Sequence, residues 1–91
     1  MEEDPALARA AIFEIIDSQI QDNNPPETRQ TLARLLAEGY SKEEGMQLIG
    51  SAMTLELFEI LKNQETFNET RYIENLYRLP QLPWGDDKNE S

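Results

Sequence analysis

The sequence predicts an all-α protein, a small four-helix bundle-like domain with a short last helix and an extended C-terminal tail. Three observations predict it. Apolar residues recur at helical spacings of three and four, capping and stop signals cut the chain into four such stretches, and no stretch shows the sustained alternation of a half-buried strand. At 91 residues the chain suffices for one compact core, burying roughly 60–65% of the unfolded surface, and not for two.

Asp4 before Pro5 opens the first helix, over 5–22: the carboxylate can accept a backbone N–H, and proline lacks a donor where a helix has orphans anyway. Its stripe is Ala8, Ile12, Ile15, Ile16 and Ile20, with Glu14, Asp17 and Gln21 opposite. The break at Asn23-Asn24-Pro25-Pro26-Glu27 offers Asn24 as cap and Glu27 as its capping-box partner, so a second helix is expected over 25–38. It should bury Leu32, Leu35 and Leu36, with Thr28 or Thr31 at the margin, and stop at Gly39, after which Tyr40 folds back onto Leu35 or Leu36.

Ser41-Lys42-Glu43-Glu44 is a capping box and starts the third helix, over 42–63. Met46, Ile49, Met53, Leu57, Ile60 and Leu61 form its broad face, yet Leu48, Ala52, Leu55 and Phe58 make it apolar almost all round. Such a helix is either the covered centre of a bundle or the element that meets a partner chain. Gly50, in mid-helix at ~1 kcal/mol relative to Ala, suggests close approach of a neighbouring helix. The fourth helix, over 69–79, follows Asn68 as cap, with Phe67 and Tyr72 as a hydrophobic staple and Tyr72, Ile73, Leu76, Tyr77 and Leu79 on its buried side. Pro80 ends it. The domain thus occupies 1–80, and 81–91 is read as a tail, partly docked and then disordered beyond Trp84.

Composition excludes several kinds of chemistry. Without Cys or His the chain has no disulfide, thiolate metal site, cysteine nucleophile or imidazole base. Eighteen acids against 8 bases give a net charge of -10, which opposes binding to nucleic acid or to an anionic membrane surface. The acidic Met1-Glu2-Glu3-Asp4 start is unlike a secretory signal, and no apolar run reaches the ~20 residues of a membrane span, so a cytoplasmic location is expected.

The order of elements from Ile12 to Leu79, with Asn24-Pro25-Pro26, a leucine helix, a third helix before Phe67-Asn68-Glu69, and Tyr72-Ile73-Glu74-Asn75-Leu76, resembles the C-terminal half of a family of small uncharacterised bacterial proteins, a domain of unknown function. The resemblance implies an all-helical fold and a bacterial origin, and no activity. The family's first-helix histidines have no counterpart here, where Ile12, Phe13 and Ile16 stand.

Two constellations compete for function. The doublets Glu14-x-x-Asp17 and Glu56-x-x-Glu59 each project from one helix face, and two such faces can hold magnesium or manganese through oxygen ligands. They look like the divalent site of all-helical nucleotide pyrophosphohydrolases, although in a chain one-fifth acidic such pairs also arise as solvated faces. The other constellation is apolar: Leu48, Leu55 and Phe58 on the third helix, with Met46 and Met53 near them, and Leu79-Pro80-Gln81-Leu82-Pro83-Trp84, a short extended segment carrying the only Trp. Leu82 and Trp84 either dock another protein or fold back over the bundle, and folding back is expected because Trp offers so much apolar surface. Arg71 and Arg78 are expected to pair with nearby acids at the surface, worth ~0–1 kcal/mol. The favoured expectation is a non-catalytic module without cofactor that binds a protein partner, or a second copy as a homodimer, through Leu48, Leu55, Phe58, Leu82 and Trp84. The alternative is a divalent-metal phosphohydrolase-like enzyme using Glu14, Asp17, Glu56 and Glu59.

Overall fold

A computed structural model describes residues 5–84, with side chains from residue 8 onward. Four helices follow one another: α1 Pro5–Asp22, α2 Pro26–Ala37, α3 Lys42–Asn63 and α4 Glu69–Arg78. No strand occurs among the described residues, as the all-α expectation requires. The Asp4 cap and the tail beyond Trp84 lie outside them.

The corners show local chemistry setting the helix ends. At α2 the expected Asn24 cap does not form: Pro25 is the N-cap residue, no side chain caps it, and the Thr28 N–H instead donates to the Pro25 carbonyl at 3.2 Å. Proline at the first helical position removes the need for one cap bond, which is why the Pro-Pro turn works without Asn24. Arg29 closes the same corner from the other side, donating to the Ile20 carbonyl at the end of α1 at 2.7 Å. At the end of α2, Gly39 takes φ 107°, and the N–H groups of Tyr40 and Gly39 donate to the carbonyls of Leu35 and Leu36 at 3.1 and 3.0 Å. These two bonds form a Schellman turn. A Cβ at Gly39 would touch nothing within 4 Å, so Gly39→Val isolates the backbone cost of a β-branched residue in the left-handed region. We expect a loss of about 1–2 kcal/mol in urea denaturation; an unchanged midpoint would show that the turn relaxes freely.

Ser41 caps α3 with both bonds of a capping box, the Glu44 N–H donating to Ser41 Oγ at 3.0 Å and the Ser41 N–H to Glu44 Oε1 at 2.9 Å. Asn68 caps α4 through the Arg71 N–H at 3.0 Å, and Phe67 meets Tyr72 with ring centroids 5.6 Å apart, the expected staple.

Helices α2 and α3 each pack against all three others, whereas α1 and α4 flank them without packing backbone to backbone. The core is Ile16, Leu35, Met46, Ile49, Ala52, Met53, Tyr72, Leu76 and Leu79, all buried. The tight contact falls at Gly45 and not at Gly50: a Cβ on Gly45 would lie 2.8 Å from Leu32 Cδ1, the end of a side chain seated on the glycine, while one on Gly50 would sit in ordinary contact 3.5 Å from Ile12 Cγ2.

Several apolar residues assigned to the core lie outside it. Leu61 is 82% exposed and Tyr77 62%, and Ala8, Ile15 and Leu36 are also exposed. For Leu61 the cause is length. Every residue from Leu61 to Thr70 is exposed, because the last turn of α3 runs past the helices that cover its earlier turns. In α2 the inward positions go instead to Thr28 and Thr31, both buried.

Candidate interaction surface

The broad face of α3 is covered by three helices, and its outer arc only in part. Leu48 and Leu55, seven residues apart, stand on that arc half-buried, and Phe58 follows three residues on at 51% exposure. Residues three, four and seven apart share a helix face, so these side chains form one stripe. Ser51 lies between them with its hydroxyl turned back to the Leu48 carbonyl at 2.6 Å, which takes its polarity out of the stripe. The ammonium of Lys62 sits over the Phe58 ring, 5.1 Å from its centroid.

At the N-terminal end of the stripe a groove of about 360 Å³ is lined by Tyr40, Glu44, Gln47, Leu48 and Leu82. Its far wall exists because the chain after α4 is held in place. Leu79 is buried, Arg34 donates to the carbonyls of Leu76 and Leu79 at 2.9 Å each, and the Gln81 N–H donates to the Arg78 carbonyl at 2.9 Å. That anchorage brings Leu82 beside Leu48 and Tyr40. Trp84 corrects the expectation of folding back: it is 57% exposed, and Leu82 alone is half-covered. Tyr40, Glu44 and Gln47 are the lining residues that the sequence reading did not assign to the surface. Tyr40 had a signal, since the residue after a Schellman glycine is where the turn places an apolar contact.

The carboxylate doublets have a different arrangement from the one a divalent site requires. Glu56 is fully buried and bound on both oxygens: Arg71 Nε donates to Oε2 at 2.7 Å, Arg71 Nη2 to Oε1 at 3.0 Å, and the Asn68 N–H to Oε1 at 3.2 Å. Arg71 therefore holds a buried carboxylate, contrary to the surface pairing expected for it, and reaches Glu65 at 3.3 Å as well. Its guanidinium is held further above its already high pKa, first by the hydrogen bond to Glu56. Glu59 accepts from the Asn63 side-chain amide, and Glu14 and Asp17 are exposed on α1. Among the described residues no three acidic groups gather in a way that could hold a metal ion.

A second polar cluster is also internal. Gln19 Oε1 accepts from Thr28 Oγ1 and from the Tyr72 hydroxyl at 2.8 Å each, tying α1, α2 and α4 together. Burial raises the Tyr72 pKa to about 12, against a weaker opposing contribution from the Thr28 hydrogen bond.

No protein-family model, curated protein or solved structure matches this chain. Fold and surface together describe a small all-α domain with a partly exposed apolar stripe on its central helix. No described helix is long and apolar enough to cross a membrane.

Proposed function

We propose that this protein acts by binding another protein chain through the outer arc of α3 and the Leu82–Trp84 segment, and that it does so without catalysing a reaction. The observation that carries the reading is the coexistence of a partly exposed stripe of Leu48, Leu55 and Phe58, on the helix that also centres the core, with a Trp84 after α4 that is 57% exposed despite a firmly anchored Leu79. Large aromatic and aliphatic side chains held out on a rigid helix lose little freedom on binding, which suits an interface anchor. The metal-dependent alternative draws no such support, because Glu56 is already neutralised by Arg71 and the α1 pair stands apart in solvent.

A photo-crosslinking residue placed at position 58 tests this in the native cell. The expected result is an adduct of discrete mass that disappears when Leu55→Lys is added, with no adduct from position 30, an exposed place on α2. Equal labelling from 58 and 30, or an adduct indifferent to Leu55→Lys, would remove the assignment.

A further inference from the structure

We propose that the occupant of this surface is a cationic amphipathic helix of another protein, and not a second copy of this chain; the inference rests on the binding role assigned to α3 above. Four residues of the outer arc carry it. Glu44, Leu48, Leu55 and Glu59 follow one another at intervals of four, seven and four, so they line one side of α3 as acid, apolar, apolar, acid over about 22 Å of helix. Both acids retain acceptor capacity, since each is bound through one oxygen by a neighbour of its own turn, Glu44 by the Ser41 N–H and Glu59 by the Asn63 amide. The remaining charge on the arc, Lys62, is drawn over the Phe58 ring.

That spacing selects its partner. A helix lying along the stripe places leucine-like side chains against Leu48 and Leu55 and meets Glu44 and Glu59 with Lys or Arg at its two ends, in either chain direction, because the pattern reads the same both ways. A second copy fails the same test. A two-fold contact between two such stripes running antiparallel sets Glu44 of one chain against Glu59 of the other, twice, between molecules that each carry a net charge of -10. The rest of the molecule offers no compensating cations from three of its arginines: Arg29 and Arg34 are committed to helix-end carbonyls and Arg71 to Glu56. Trp84, exposed two residues after the Leu82 that walls the groove, supplies the reporter.

The test uses the full chain and a synthetic amphipathic helical peptide of Leu and Lys, with a peptide of the same composition scrambled so that no apolar face remains. Binding is followed through Trp84 fluorescence, the only Trp in the chain. The expected result is a blue shift with the amphipathic peptide at about 0.02 M salt, and affinity lost by roughly tenfold at about 0.5 M salt. Loss of similar size is expected in Glu44→Gln/Glu59→Gln and in Leu55→Lys, both with unchanged helical circular dichroism. Equal affinity for the scrambled peptide, or none lost in Glu44→Gln/Glu59→Gln, would overturn the proposal by showing attraction to bulk negative charge only. A two-chain sedimentation mass at high salt that reverts to one chain in Leu55→Lys would also overturn it, in favour of a second copy, while leaving α3 as an interface. Failure of both, with no peptide binding and a single-chain mass at either salt, would remove the binding role of α3 as well.

Discussion

Replacing Arg71 with Met lowers the melting temperature by about 10 °C or more, the expected result of stranding a buried carboxylate in a domain of this size. Glu56 is fully buried and its two oxygens face Arg71 and the Asn68 N–H, so the variant must either keep an unpaired charge in the core or take up a proton there. The double variant Glu56→Leu/Arg71→Met regains most of the loss, because two apolar side chains leave no charge to solvate and only the Asn68 N–H loses an acceptor. Thermal unfolding of both variants checks this. A single variant melting within a degree or two of wild type would mean that water reaches Glu56 readily and that the pair is an ordinary surface contact after all.

The second large effect is expected at Tyr72, whose ring is fully buried and whose hydroxyl reaches Gln19 across the bundle. Tyr72→Ala costs about 3–5 kcal/mol through lost burial and the cavity left behind, while Tyr72→Phe, which keeps the ring, costs about 1–2 kcal/mol. A pH dependence follows from the same burial. The hydroxyl titrates near 10 when unfolded and at about 12 when folded, so folding favours the protonated form. The associated stability is fully present below pH 10 and is lost as pH rises from 10 through 12, by about 2–3 kcal/mol in total. Tyr72→Phe lacks this contribution, so its stability should meet that of wild type within the same window and match or exceed it above pH 12. Parallel curves for the two proteins would place the hydroxyl in contact with water.

Helix ends were the most legible part of this chain. The start of α3 at Ser41, the stop at Gly39 and the staple of Phe67 on Tyr72 each depend on groups within six residues of one another, and each forms as the local rules require. Apart from the Asn24 cap, displaced by the adjacent Pro25, the failures depend on distance. Leu61 and Tyr77 have the right periodicity for burial and no neighbour to bury them, a matter of where α3 outruns the bundle. Glu56 has the wrong polarity for burial and is buried because Arg71, 15 residues away, arrives with matching geometry. In the candidate surface, Leu48, Leu55 and Phe58 were visible as an apolar excess on one helix. Trp84 was expected inside because its size argues for cover, yet the residues that settle on the bundle at this end are Leu79 and Leu82, and the indole is left out.

Helix α4 has only 10 residues, too few to persist as a helix in water unaided. Its first turn is held by Asn68 and by Arg71 on Glu56 of α3, its last carbonyls by Arg34 of α2, and its middle by Tyr72 on Gln19 of α1. Each of the other helices therefore owns one fastening of α4, and releasing any of them loosens the other two. We therefore expect the amides of the α4 turn between Tyr72 and Leu76 to exchange with the protection of the whole domain, not by local opening.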